Sequence, residues 1–529
     1  MYFRDVTASI CIGSDQRITT EIACLVTSAT CHWLEASCCS YRQTYTRPLA
    51  RGANLLERKM ESVNDCSDWH VRVVSRRLVR ASDTSIKPHV VTVSNLDRIA
   101  RVIQISMFCV YAKPPAGDFD AVVSTFEAGL PSFLNHFFPL AGRIANTSSG
   151  IPEIHCSNQG AELVVGDAKG VALASLDYAA MGAAVQKIQV PYGEDVALSV
   201  QVVSFACGGF TVAWRTNHVV ADGCALSSLV TAWSAFARSG TGTLPAALRP
   251  NHDRSTVFRP RAPPSYSASV GEAFTTLDAR RQVNALTADQ SCVLRFYRIE
   301  ASDVARLRDA ASGAGERATR VEAVSAYLWK ALACVVTAAG DTSCRMGWWV
   351  NGRRRLASPE LRRAVRNYFG NVITFAGAEA SVEEVLQKPS PDVAAMVREA
   401  IRAPAYDEHL QELADWVEAH GTERHILSAS IGMGSPTLIV TAFTSFRVDT
   451  DFGLGHAVMA VPTTVRTARL CSGFVQIQER LGGDGSWIVS AFVWPQLAAA
   501  LEADEPRLFR PLTAEQLGLV FPQEARSRL

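Results

Sequence analysis

The sequence predicts an α+β protein built as two lobes. Strand-like and helix-like runs are mixed on both sides of residues 241–290, where Pro245, Pro250, Pro260, Pro263 and Pro264 interrupt a stretch with few periodic apolar positions. The chain's 529 residues exceed what one core of ordinary size absorbs, and a composition of 48% hydrophobic and 19% charged residues is that of a globular protein. The expected organisation is an extension over 1–68, a first lobe over 69–240, a connecting loop over 241–290 and a second lobe over 291–529.

Residues 1–68 are rich in Cys, Thr and Ser and keep neither a period of 2 nor one of 3.6, so a loosely structured extension is expected, with Met60 a candidate start. From Val71 the patterns sharpen. VRVVSRRLV and VIQISMFCVYA are β-branched and strand-like, and VVSTFEAGLPSFLNHF has helical spacing up to Pro139. ALSVQVVSFA and GFTVAWRTN bracket Gly208-Gly209, which predicts a hairpin. An amphipathic helix follows over CALSSLVTAWSAFARS and stops at Gly240. In the second half FYRIEASDVARLRDAA reads as a strand and a helix capped by Ser302 or Asp303. TRVEAVSAYLWKALACVV is an apolar helix, GWWVNGRR a strand, and Ser381 to His420 mainly helical. PTLIVTAFTSF, HAVMAVPTTV, RLCSGFVQIQERL and SWIVSAFVWP look like strands of one sheet.

Charge is balanced, with 52 basic and 51 acidic residues, so no global field draws in nucleic acid or an anionic membrane. The basic residues are mostly arginine; lysine occurs only at 59, 87, 113, 169, 187, 330 and 388. No uninterrupted apolar run reaches the ~18–20 residues of a membrane span, and MYFRDVTASICIGSDQ lacks the order of a secretory signal. A cytoplasmic monomer is the expectation. Of 14 cysteines, six precede residue 67; Cys109, Cys207, Cys224, Cys334 and Cys471 sit in apolar segments and read as free thiols. CxxC, HExxH, Walker, GxGxxG and GxSxG patterns are absent, so neither metal nor cofactor is expected.

Chemistry points to His218. It closes an apolar strand just before a glycine-marked turn into a helix, a place that exposes an imidazole in a crevice. Histidine titrates near neutrality and can take a proton from an attacking hydroxyl or amine. Asp222, four residues on and followed by Gly223, reads equally well as the helix N-cap, and His218 as a satisfied strand-end histidine.

The surrounding blocks decide between these readings. TNHVVADGCALSSLVTAW resembles the HxxxDG block of the plant BAHD acyl-CoA-dependent acyltransferases. VTVSNLDRI from Val91, FFPLAGRI (137–144), VNGRRRL (350–356), NYFGNVI (367–373) and DFGLGHA (451–457) resemble further family blocks, in family order. Two positions depart: Leu454 stands where the family has tryptophan in DFGWG, and in TAFTSF Ala442 or Phe443 replaces a tryptophan found in many members.

The resemblance implies two chloramphenicol-acetyltransferase-like lobes, each with a mixed sheet, a long crossover loop, and a tunnel between the lobes. It implies His218 as general base for attack of a hydroxyl or amine on an acyl-CoA thioester, aromatic by family frequency, with a small plant metabolite as acceptor. Asp222 is then a structural residue paired with Arg353 or Arg355, and Asp451, Gly453 and Gly455 form a supporting turn in which the aspartate makes a buried ion pair. His456 is a fold residue, and Thr441 is a candidate hydrogen-bond donor to acceptor or oxyanion. Two rivals remain at this point: a condensation-domain-like amide-forming enzyme, which usually carries HHxxxDG where this chain has Asn217-His218, and a catalytically silent ligand-binding relative.

Overall fold

The chain divides into two units, Met1–Glu57 and Arg58–Leu529, and the second is described here by itself. Its structure, a computed structural model, describes residues 69–520 except 100–102, 116, 241, 277–285, 287–291, 314, 422–424, 428–434, 447, 465–471 and 505–506. The expected extension over 1–68, the start at Met60 and the thiol of Cys471 lie outside the described residues.

The first half supplies β1 (Arg72–Val79), α1 (Asn95–Ile99), β2 (Gln104–Tyr111), α2 (Phe119–His136), β3 (Ala161–Ala168), β4 (Ser199–Phe205), β5 (Phe210–Asn217) and α3 (Gly223–Ser239). The second half supplies β6 (Val293–Ile299), α4 (Ala301–Ala310), α5 (Arg320–Ala339), β7 (Ser343–Asn351), β8 (Ile373–Ser381), α6 (Tyr406–His420), β9 (Thr437–Ala442), β10 (Met459–Thr464), β11 (Ser472–Glu479), β12 (Trp487–Val493) and β13 (Arg510–Pro511). Two large mixed sheets result, ordered β1-β3-β4-β5-β2-β10 and β8-β7-β9-β11-β12-β6-β13. Pairing is parallel for β3/β4, β7/β9 and β9/β11 and antiparallel for the other neighbours. These are the two predicted lobes.

Each sheet is covered on one face by the apolar side of its helices. Phe126, Phe133 and Trp233 of α2 and α3 pack on Met107, Val212 and Trp214, with Phe126 and Trp233 stacked at 4.8 Å. Trp329, Leu332 and Val336 of α5 pack on Met346, Trp348, Val475 and Val489. Helix α5 is long and apolar enough to cross a bilayer. Here it is a core helix, opened by a capping box between Thr319 and Glu322 and carrying a buried Lys330 whose Nζ donates to the carbonyls of Leu386 and Lys388. A third cluster joins the sheets, bringing Phe108 and Val110 of the first against Phe296 and Ile488 of the second.

Three expectations need correction. HAVMAVPTTV does not join the second sheet: β10 crosses over and pairs antiparallel with β2, Val461 opposite Phe108, so the first sheet is completed by the second half of the chain. Alternation of side chains marks a strand but not the sheet it enters, and Pro462, with no N–H to give, suits the edge that β10 occupies. Helix α4 starts at Ala301 with Glu300 at its N-cap; Ser302 lies inside it, and Asp303 falls in the first turn, where it pairs with Arg306 at 2.9 Å and Arg510 at 3.0 Å. The hairpin before His218 turns through four residues, Ala206 to Gly209, with Phe205 N–H donating to Gly209 O at 3.0 Å. The connector is also less bare than expected, since it holds a short helix over Ala268–Glu272 and a strand over Phe274–Thr276 paired with His425–Leu427.

Candidate active site

Strand β5 ends at Asn217, whose Oδ1 accepts from Val219 N–H at 3.1 Å and so turns the chain sharply at His218. The backbone N–H of His218 donates to Ile103 O at 2.7 Å, fixing the residue against the end of β2. His218 is half-buried, and its Nδ1 lies 3.1 Å from Oδ1 of the fully buried Asn371. The amide of Asn371 can be oriented in only one way. Its Nδ2 donates to Asp97 Oδ1 at 2.9 Å and to His218 O at 2.8 Å, two groups that only accept. Its Oδ1 therefore faces the imidazole, and Nδ1 must carry the hydrogen. Nε2 is left with its lone pair. Burial lowers the His218 pKa below its ordinary 6.5, against the opposing pull of its own carbonyl, Asp222, Asn371 and Asp97, so the ring is neutral at pH 7.

Asp97, at the start of α1, is buried and accepts from Ser94 N at 2.7 Å, Ser94 Oγ at 2.8 Å and Asn371 N at 2.7 Å. Its counter-ion is Arg254, buried as well and hydrogen-bonded to it. Arg254 also donates to the carbonyls of Val219 at 3.2 Å, Val220 at 2.7 Å and Phe369 at 3.1 Å. A residue of the connector thus holds the His218 turn and the 369–371 turn of the second half. Asp97 and Asn371 lie within blocks quoted above, yet nothing in the sequence assigns them this role. Arg254 carried no signal, being one arginine in a stretch without periodicity.

Asp222 serves two ends at once. Its Oδ1 caps α3 by accepting from Ala225 N–H at 2.9 Å, and its Oδ2 accepts from Val372 N–H at 3.0 Å and from Arg353 Nη1 at 2.5 Å. Arg353 is further tied to Tyr368 O at 3.2 Å and Gly370 O at 2.7 Å. Of the two candidate arginines it is Arg353 that meets Asp222; Arg355 lies over the Tyr406 ring, 5.9 Å from its centroid. The ring nitrogen of His218 turns to Asn371 and not to Asp222, so no Asp-His arrangement of the serine-protease kind is present. Gly223 is required for space: a Cβ there would collide with the ring of Phe443, which identifies Phe443 as the group filling the volume next to the helix start.

Asp451 departs from expectation. It makes no buried ion pair but is half-exposed, accepting from the N–H groups of Gly453 at 2.9 Å and Gly455 at 3.0 Å. The turn needs φ of 102° and 98° at these two glycines, a region that side chains avoid. Arg238 of α3 pairs with neighbouring Asp449 at 2.6 Å and also donates to the Asp451 carbonyl, so the turn braces the helix that follows His218. Leu454, half-buried, packs on the first core. His456 is 66% exposed and approaches Asp449 and Asp451 no closer than 3.9 and 4.0 Å, which is no place for a second base. Thr441 sits in β9 beside Trp349 and Gln476, two residues before Phe443. One seam between the sheets therefore gathers His218, Asp222, Gly223, Arg353 and the strand end carrying Thr441.

Residues 69–499 match the model of the transferase family. The chain is 29% identical over 407 residues to putrescine hydroxycinnamoyltransferase 1 of Oryza sativa subsp. japonica, spanning 73% of this chain and 88% of that protein. It is 25% identical over 391 residues to omega-hydroxypalmitate O-feruloyl transferase of Arabidopsis thaliana, spanning 70% and 80%. Among solved structures it is similar to vinorine synthase (TM-score 0.59, 21% identity, 85% of this chain and 98% of that one). It is also similar to F. graminearum TRI101 complexed with ethyl coenzyme A (TM-score 0.65, 15% identity, 80% and 98%).

Proposed function

The chain belongs to the BAHD transferase family and is an acyl-CoA-dependent acyltransferase, and from that premise we propose that it moves a hydroxycinnamoyl group from CoA to a hydroxyl or amine of a small plant metabolite with His218 as general base. The observation that carries the base assignment is the Asn371 amide, whose fixed orientation leaves Nε2 of His218 unprotonated and neutral. Nε2 takes the proton of the acceptor as its oxygen or nitrogen attacks the thioester carbonyl. The tetrahedral intermediate collapses, the carbon–sulfur bond breaks, and the imidazolium returns its proton to the CoA thiolate. Asp222 and Arg353 hold the turn and take no proton. The donor reading is supported by relatives named for feruloyl and hydroxycinnamoyl transfer; their named acceptors, a hydroxy acid and putrescine, span both acceptor chemistries.

The test is incubation of the purified protein with coumaroyl-, feruloyl-, malonyl- and acetyl-CoA against pooled plant alcohols and amines, read by mass spectrometry. A hydroxycinnamoyl ester or amide is expected. His218→Ala should lower turnover about 10²- to 10⁴-fold while acyl-CoA still binds. A variant retaining more than about a tenth of the rate would remove His218 from the role of base.

A further inference from the structure

The face of the second sheet turned away from α5 carries a continuous row of side chains. Phe296 of β6 pairs with Ser490 of β12, Ser490 with Gln476 of β11, Gln476 with Thr441 of β9, Thr441 with Trp349 of β7, and Trp349 with Phe375 of β8. Paired residues share a face, so all six project the same way. Their surroundings change along the row. Phe296 is fully buried against the first lobe and Ser490 is buried beside it, whereas Gln476, Thr441, Trp349 and Phe375 are only half-covered. The seam closes at one end and opens at the other.

The open end is built for a flat group. Trp349 and Phe375 meet edge to face, with ring centroids 5.3 Å apart and planes at 74°. The Phe375 ring lies over two glycines: a Cβ at 377 would sit 3.2 Å from it, and one at 347 would collide with it. Bare backbone on this side lets the ring lie down on the sheet. Beside the rings, the Thr441 hydroxyl and the Gln476 amide have no hydrogen-bond partner among the described residues. The row is also next to the chemistry. Two residues beyond Trp349, about 7 Å along the strand, Asn351 accepts from the backbone N–H of Arg353, the partner of Asp222. Two residues beyond Thr441, Phe443 packs on Gly223.

We infer that Trp349 and Phe375 are the shelf on which the aromatic ring of the acyl donor rests, with Thr441 and Gln476 binding its polar atoms. This rests on the donor reading above and adds the residues that make the enzyme prefer an aromatic acyl group to an aliphatic one. Aromatic rings favour edge-to-face and offset contacts with a third ring, which a short aliphatic acyl group cannot supply.

The experiment measures kcat/KM for coumaroyl-CoA and acetyl-CoA, and the calorimetric Kd of coumaroyl-CoA and free CoA, in the unaltered enzyme and in Trp349→Ala, Trp349→Phe and Gln476→Leu. The ratio of kcat/KM for coumaroyl-CoA over acetyl-CoA should fall about tenfold in Trp349→Ala, and Trp349→Phe should restore most of it. Coumaroyl-CoA binding should weaken more than CoA binding. Gln476→Leu, which keeps the rings, should reduce discrimination between coumaroyl-CoA and cinnamoyl-CoA, which lacks the phenolic hydroxyl. Equal weakening of CoA and coumaroyl-CoA would place the adenine on the shelf and overturn the inference. An unchanged donor ratio in Trp349→Ala, or unchanged discrimination in Gln476→Leu, would overturn it while leaving the donor reading intact. An unaltered enzyme that accepts acetyl-CoA but no hydroxycinnamoyl-CoA would overturn the donor reading and the shelf together.

Discussion

Asp222 shows how much one carboxylate can be asked to hold. It caps α3, accepts from Val372 and neutralises Arg353, all while buried. Asp222→Asn keeps an oxygen for the cap but turns an N–H₂ or a neutral oxygen toward a buried guanidinium. Breaking such a pair from one side costs about 3–5 kcal/mol, so the variant should melt well below wild type and lose activity with stability. Adding Arg353→Leu should recover part of the loss, read as melting temperature of the single and double variants. Wild-type melting with lost activity would instead make Asp222 a chemical partner. A pH prediction belongs at this scale too. His252 is half-buried beside Arg254, and the loss of water around its ring drives its pKa down to about 4. The unfolded chain takes that proton near pH 6.5, whereas the folded one refuses it. The contribution is complete above pH 6.5 and drains away as pH falls toward 4. Melting temperature should therefore drop between pH 7 and pH 5, and the drop should shrink in His252→Gln. The His218 pKa is likewise lowered, which puts the acid limb of kcat/KM below pH 6.5. An acid limb above pH 6.5 would contradict the burial described.

At the scale of elements, local patterns were legible and partnerships were not. The helices over Phe119–His136, Gly223–Ser239 and Arg320–Ala339 announce themselves through apolar spacing, an aspartate or threonine cap and a closing glycine or proline. The Asp222–Arg353 contact was reachable only through family resemblance, because 131 residues separate the partners. The Arg254–Asp97 pair, 157 apart, was missed because Arg254 belongs to no block. Helix α3 makes a testable case. Its first residue must be glycine because Phe443 lies where a Cβ would go. Gly223→Ala should cost about 1–3 kcal/mol through overpacking and displace the His218 turn, lowering kcat. Gly223→Ala with Phe443→Leu should restore both, as measured by melting and turnover; a double variant no better than the single would mean that Phe443 is not the obstacle.

For the molecule as a whole, the two-lobe architecture could be read in advance, but the strand exchange could not. With β10 pairing β2 and the third core cluster drawing on both sheets, the lobes share their cores. Heating should therefore quench enzyme activity and the signal of the buried tryptophans, which include Trp214 and Trp233 in the first lobe and Trp329 and Trp487 in the second, over one coincident transition. Two separated transitions would show lobes that melt independently.

The borrowed strand also has a consequence for how the protein is made. Strand β2 is synthesised early, but the segment that covers its outer edge follows roughly 350 residues later, a delay of about 20 to 70 s at ordinary ribosomal speed. Through that interval the nascent first lobe presents an apolar strand, Gln104–Tyr111, with an open row of N–H and C=O groups, the template that recruits other chains. A ribosome stalled in the second half, or a gene truncated there, leaves that edge open for good. The edge closes only once residues 459–464 have been made.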